Sequence, residues 1–248
     1  MTNKEANKLL AISAHRADWK PIDNNWQWYQ EWNRALFLHW KIDAVLIQPF
    51  IPKGLTLDTI ENQAWVSAVA FSMEQIRPKI LPALEFISNF HEVNVRTYVT
   101  DGLHKGVYFL SIEAQKYLSG YVAKTFSGLP YEKADIRRST GNEHSYSVKN
   151  RRTGNYLHVD YNTGNPLNEK TPLDTWLTER YYLFLKKGKY IRRFAIHHTE
   201  WPLYNFNIHK IELSYQLDTL KLVHDNIDLI HYSEGVRVVA WPVEILSP

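Results

Sequence analysis

Two-residue alternation and short apolar runs dominate this chain, the patterns of β-strands rather than of amphipathic helices. Residues 63–71 carry Trp65, Val66, Val69 and Phe71 with almost no polar face, which predicts a buried strand. Residues 92–99 alternate strictly, with Val93, Val95, Thr97 and Val99 on one side and Glu92, Asn94, Arg96 and Tyr98 on the other. Asp101-Gly102 and Gly106 then turn the chain into a strand at 107–112, a hairpin signature. Two further hairpins are expected, 146–151 with 156–161 around Thr153-Gly154-Asn155, and 181–186 with 190–196 around Lys187-Gly188. A last strand at 236–241 stops before Pro242.

Helical spacing is confined to a few segments. Residues 113–126 put Tyr117, Leu118, Tyr121, Val122 and Phe126 on one stripe ahead of the breaker Gly128-Leu129-Pro130. Thr171-Pro172-Leu173-Asp174 predicts a short helix over 172–180, with Thr as cap and Pro in the first helical position. Residues 3–16 read as an amphipathic helix, and 43–50 as one or two turns before Pro52. The expected class is therefore α+β with mostly antiparallel β, and successive hairpins favour a curved or closed sheet that hides its edges. No Pro/Gly/Ser-rich linker or low-complexity tract divides the chain, so residues 1–248 read as a single domain.

Composition acts mainly by exclusion. A chain of 248 residues that is 44% hydrophobic and 22% charged is neither disordered nor collagen-like. Its uncharged runs fall short of the roughly 20 apolar residues a membrane helix needs, so no membrane contact is expected. Without cysteine, disulfides, thiolate metal sites and cysteine nucleophiles are ruled out. The start of the chain lacks the pattern of a secretory leader, and a cytoplasmic protein is expected. A formal net charge of +3 does not mark a nucleic-acid binder, and the basic stretch Lys186, Lys187, Lys189, Arg192 and Arg193 is equally a solvated hairpin tip. Nine Trp, 15 Tyr and 10 Phe are present. Trp26, Trp28, Tyr29, Trp32, Phe37 and Trp40 crowd together and read as the bulky core of a barrel rather than a stacking platform.

No phosphate-binding glycine loop, nucleophile elbow, zinc-protease helix or calcium loop is present. The candidate chemistry lies on the polar side of 92–99. A carboxylate, an amide, a guanidinium and a phenol on one strand face need partners if that face is buried. They suit a polar pocket with Glu92 as acid or base and Arg96 binding an anionic group, and equally a solvated face or a structural Glu92–Arg96 pair. Adjacent His197 and His198 must point to opposite strand faces, so at most one joins a given site. His197 and Glu200 supply at most two ligands, so no metal site is inferred, and no organic cofactor is demanded.

The residues also carry a family resemblance. Trp32-Asn33-Arg34-Ala35-Leu36-Phe37-Leu38-His39-Trp40, Pro52-Lys53-Gly54-Leu55, Phe90-His91-Glu92-Val93-Asn94-Val95-Arg96-Thr97-Tyr98-Val99, Leu129-Pro130-Tyr131 and His231-Tyr232-Ser233 resemble, in order, the YqjF-like bacterial proteins of unknown function. That family is distantly similar to acetoacetate decarboxylase, which implies a cone-like, mostly antiparallel β-barrel with an interior pocket and a few flanking helices. The decarboxylase forms a Schiff base between a lysine amine and a β-keto acid. The resemblance puts Glu92 where the decarboxylase has a pocket glutamate, and the lysine near 107–114. Phe109-Leu110-Ser111-Ile112-Glu113 contains no lysine, and Lys105 and Lys116 only flank it, so a Schiff-base route is not expected. Three readings remain open. One is acid–base chemistry on a small carboxylate or keto acid by Glu92 and Arg96, with Asn94, Tyr98, Arg77 and His197 binding the ligand. The others are a non-catalytic small-ligand binder and a structural or interaction protein.

Overall fold

The computed structural model describes residues 10–11, 25–83, 88–115, 131–141 and 143–246. The helices expected at 3–16 and 113–126 fall mostly outside these residues. Leu10 and Ala11 are helical, whereas Glu113 and Ala114 finish a strand instead of opening a helix.

Fifteen strands form one sheet among the described residues. The central strands are β1 (Trp28–Ile42), β3 (Ala64–Pro78), β4 (Phe90–Thr100) and β5 (Lys105–Ala114), with the two-residue β2 (Thr56–Leu57) beside β4. After β6 (Tyr131–Lys133) come β7 (Asp135–Ser139), β8 (His144–Lys149) and β9 (Tyr156–Pro166). Then follow β10 (Tyr182–Lys187), β11 (Tyr190–His198), β12 (Leu203–Leu217), β13 (Leu220–Val223), β14 (Leu229–Ala240) and β15 (Glu244–Leu246). The three expected hairpins form, as β4–β5, β8–β9 and β10–β11. Pairing is antiparallel except where β5 meets β6 and β10.

The order β11-β10-β5-β4-β3-β1-β14 returns on itself, because β14 also pairs with β11 through Ile196, His197 and His198. From β14 the sheet continues as an arm, β12-β9-β8-β7. That arm lies against one face of β1, β3 and β4, where Leu36, Leu38, Trp40, Val66, Val93 and Val95 meet Tyr146, Val148, Val159 and Leu213. On the other face, Phe37, Val69, Phe71 and Tyr98 meet Phe109, Leu183, Phe194 and Val238. Both faces of the central strands are thus covered, and β3 is buried without a break from Ala64 to Met73. This explains its run of apolar residues with no polar side. Each large side chain in these two cores contributes about 2–3 kcal/mol by leaving water.

Helices are short. Asp43 caps α1 (Ala44–Ile47), which runs into a tighter turn over Gln48–Phe50. Thr171 caps α2 (Pro172–Thr178), its side chain accepting from the Asp174 amide while Asp174 accepts from the Thr171 amide.

Two bulges decide which side chains face which core. In β1, Arg34 has φ of 52°, and the register against β3 shifts between Asn33 and Leu36. Trp32 therefore shares a face with Phe37 rather than with Leu36. In β3, Gln75 has φ of 55° and the register shifts again, so Arg77 pairs beside Tyr29.

Gly106 has a different role from the turn residue its sequence context suggests. A Cβ there would fall inside the van der Waals envelope of the Tyr182 carbonyl and the Phe184 ring, where β5 and β10 approach. Gly106→Ala is expected to lower stability by roughly 3 kcal/mol, measured by denaturant unfolding, since neither neighbour can retreat without opening the β5–β10 contact.

Candidate functional site

A cavity of about 40 Å³ lies against the Phe37 side of the sheet. At roughly 10–15 Å³ per water-sized group, it takes about three such groups. Its walls are mostly apolar, built by Val69, Phe71 and Met73 of β3, Phe109 and Ile112 of β5, Leu183 and Trp201. Five polar side chains and one indole complete it: Glu92, Asn94 and Arg96 of β4, Gln30 and Trp32 of β1, and Tyr131 of β6. Alternation along β4 puts its three on one side, and the β1 bulge brings Trp32 to the same side.

Glu92 is 3% exposed. One carboxylate oxygen accepts from Asn94 Nδ2 at 3.2 Å and the other from the Tyr131 hydroxyl at 3.1 Å, while the Tyr146 hydroxyl donates to the Glu92 backbone carbonyl at 2.9 Å. Burial pushes its pKa up to about 7, against the opposing pull of those two hydrogen bonds and of the Arg96 charge. Arg96 is 7% exposed and lies over the Phe37 ring at 5.7 Å. Burial pulls its pKa down, yet a guanidinium keeps its charge in a protein.

Four buried atoms on the cavity's side chains have no hydrogen-bond partner: Gln30 Oε1, Trp32 Nε1, Asn94 Oδ1 and Arg96 Nε. Two are donors and two are acceptors. Each such group costs about 1–3 kcal/mol relative to a paired one.

Of the residues singled out in sequence, Glu92, Asn94 and Arg96 line the cavity. Tyr98 lies one step further along β4 and does not. It is fully buried, with its hydroxyl 2.6 Å from Ser67 Oγ and 3.0 Å from the Leu177 carbonyl. Arg77 is not brought to the cavity either. The bulge at Gln75 turns it to the outer face, where it covers the Tyr29 ring at 5.1 Å and donates to the Pro78 and Lys79 carbonyls. His197 sits on that outer face too, its ring 6.0 Å from Tyr181. The opposite strand face belongs to His198, which packs on Trp201 at 5.5 Å and Trp32 at 6.1 Å. Gln30, Trp32, Tyr131 and Trp201 were not foreseen as site residues. Trp32 and Tyr131 lie within the family-like segments, whereas nothing local marks Gln30.

Among the described residues no lysine lines the cavity, and β5 presents Phe109 and Ile112 to it. Lys105 stands at the exposed start of β5, 3.1 Å from Asp58. Among the described residues, no three His, Asp or Glu side chains come together as a metal-binding group, and no helix is long and apolar enough to cross a membrane.

The mostly antiparallel sheet with few helices is the fold of acetoacetate decarboxylase-like proteins. Acetoacetate decarboxylase from Legionella pneumophila matches with a TM-score of 0.57 at 12% identity, over 96% of this chain and 95% of that one. The enduracididine biosynthesis enzyme MppR, solved with pyruvate, matches with a TM-score of 0.58 at 8% identity, over 94% and 97%. At these identities the likeness is one of fold. The chain itself belongs to the DUF2071 family of uncharacterized conserved proteins, whose pattern spans residues 29–237. It is 33% identical to the uncharacterized protein YqjF of Bacillus subtilis (strain 168), over 89% of this chain and 93% of that protein.

The raised Glu92 pKa has a consequence for stability. A carboxyl that ionises at about 7 when folded and at its ordinary 4.5 when unfolded stabilises the fold fully below 4.5. That contribution is lost as pH rises through 7. Glu92→Gln, nearly isosteric and always neutral, is expected to gain on the native protein between pH 4.5 and 8, by up to about 3 kcal/mol. Urea unfolding of both proteins across that range checks it, and parallel curves would refute the raised pKa.

Proposed function

We propose that this protein binds a small monocarboxylate or keto acid in the cavity, with Arg96 holding the carboxylate and Glu92 exchanging a proton with it. The observation that carries this reading is the pair of buried, unpartnered donors, Trp32 Nε1 and Arg96 Nε, on side chains lining one small apolar cavity. Native folds rarely leave such groups unpaired, and an anion accepting from both would remove the cost. The volume limits the ligand to a few heavy atoms. Pyruvate, with which the fold neighbour MppR was solved, has the right charge.

Within this reading the strands form a curved, cone-like barrel around the ligand, and a cytoplasmic location suits a free metabolic acid. Arg96 and Trp32 orient the carboxylate, and Asn94 Oδ1 and Gln30 Oε1 accept from a ligand hydroxyl or hydrate. With a pKa of about 7, Glu92 is half-protonated near neutrality. It suits taking a proton from a carbon next to a carbonyl and returning it. No amine is present among the cavity's described side chains for a covalent route, so any rate enhancement would rest on placed charge and proton transfer. The same lack of a cavity amine favours, as the second reading, a binder that does no chemistry.

Thermal unfolding with millimolar acetate, pyruvate, 2-oxobutyrate and acetoacetate tests the proposal. At one hundred times its Kd, a true ligand stabilises the fold by about 2.7 kcal/mol. Arg96→Gln is expected to abolish the response. Glu92→Gln should preserve binding while removing α-proton exchange of a bound keto acid in deuterated water. Binding without any exchange in the native protein identifies a binder. No response to any of these acids sinks the proposal.

A further inference from the structure

The bulge in β1 decides whether Trp32 belongs to the cavity at all. Ahead of Arg34 the even residues Gln30 and Trp32 face the cavity, whereas after it the odd residues Ala35 and Phe37 take that side. Arg34 is the extra residue, without a partner in the β3 register. An unbulged strand would carry Trp32 to the arm side with Leu36 and Leu38, and its indole N–H would leave the cavity. Arg34 holds a φ of 52°, in the left-handed region that a residue with a side chain seldom occupies. Such a conformation persists only where its surroundings over-determine it.

Three strands supply that constraint. From β3, one carboxylate oxygen of Glu74 accepts from Asn33 Nδ2 at 2.8 Å, and the other pairs with the Arg34 guanidinium. From β14, Gly235 lies opposite Asn33 with a φ of 135°. A Cβ there would fall 2.5 Å from the Trp32 carbonyl oxygen and 2.8 Å from Asn33 Cα, so only glycine lets β14 come this close. From β7, Arg138 Nη2 donates to the Arg34 backbone carbonyl at 2.8 Å. Arg138 is itself well placed. Its guanidinium lies 4.4 Å from the ring centroid of Tyr146, its register partner on β8, and its Nη1 donates to the Tyr161 hydroxyl at 3.3 Å. The Tyr146 hydroxyl donates in turn to the Glu92 carbonyl. One cross-strand pair of the arm thus grips the backbones of both β1 and β4 from the side of the sheet away from the cavity.

We infer that Arg138 and Glu74 are positioning residues, which clamp the Arg34 bulge from the arm and from β3 and thereby keep the Trp32 indole turned into the cavity. Neither of the two lines the cavity itself. What they hold in place is a buried donor, Trp32 Nε1, and bulges beside a site re-aim side chains in this way. The effect on carboxylate binding rests on the function proposed above, whereas the link from the clamp to Trp32 does not.

Indole N–H signals in nitrogen NMR of the full chain separate the two, with Trp32 and Trp40 identified by their loss in Trp32→Phe and Trp40→Phe. Trp40 Nε1 donates to the Val223 carbonyl at the end of β13 at 3.0 Å, so its signal reports whether the arm stays docked. Arg138→Met keeps a long side chain over Tyr146 but cannot donate to the Arg34 carbonyl, and Glu74→Ala releases Asn33 and Arg34. Each is expected to shift the Trp32 signal, to leave Trp40 in place, and to raise the Kd for pyruvate roughly tenfold, as loss of one charge-assisted hydrogen bond would. If Arg138→Met does not fold, Glu74→Ala carries the test. An unmoved Trp32 signal in either folded variant overturns the clamp. So does a Trp40 signal that moves as far as that of Trp32, which would make the two residues general cement between arm and sheet. A shifted Trp32 signal beside an unmoved Trp40, in a protein that binds no carboxylate, upholds the clamp and removes the proposed function instead.

Discussion

Strand β4 has no solvent face. The arm β12-β9-β8-β7 covers Val93 and Val95, and the opposite core covers Tyr98, so Glu92, Asn94 and Arg96 face no bulk solvent, only the small cavity. A buried charge without compensation costs several kcal/mol, and each of these groups must be answered from inside the fold. Much of the surrounding structure serves that need. Strand β6 delivers the Tyr131 hydroxyl to Glu92, and β8 sends Tyr146 to its backbone carbonyl. Helix α2 brings the Leu177 carbonyl to Tyr98. The two carboxylate oxygens of Glu92 are engaged by neutral donors rather than by Arg96, which acts on it only through space. Neutral donors stabilise a carboxylate less than a direct ion pair would, and this leaves desolvation as the dominant influence on its pKa.

How far the sequence was legible follows from how local each signal is. Strands β4, β5, β10 and β11 announce themselves by alternation and by a turn at each hairpin, and their structural bounds lie within about two residues of the expected ones. The capped helix α2 was equally readable, because capping chemistry lies within four consecutive residues. Strand β1 was visible only as a crowd of aromatics. Its bulge at Arg34 moves the buried parity from one set of residues to the other, so no single alternation runs through it. The polar side of β4 stood out for the same local reason that made its hairpin legible. Burial decided between a pocket and a solvated face, and burial of that face depends on β10 and on Trp201, which come much later in the chain. Where Arg77 and His197 point is set by the Gln75 bulge and by which face of β11 turns inward, and neither leaves a local mark in the sequence.

The likeness to acetoacetate decarboxylases sharpens what the cavity lacks. Along β5, where resemblance places a lysine, Phe109 and Ile112 face the cavity, and the nearest preceding lysine is occupied with Asp58 at the exposed start of that strand. A phenylalanine cannot form an imine, so any chemistry shared with those folds would have to proceed without covalent capture. What remains is a guanidinium, a carboxyl poised near neutrality and an apolar wall, a set suited to discriminating by charge and size. A carboxylate entering beside Arg96 would also place a negative charge near Glu92, raising its pKa further and favouring its acid form. Ligand binding and protonation of Glu92 would then be linked, each promoting the other, because two carboxylates would compete for one buried guanidinium and repel each other beside it.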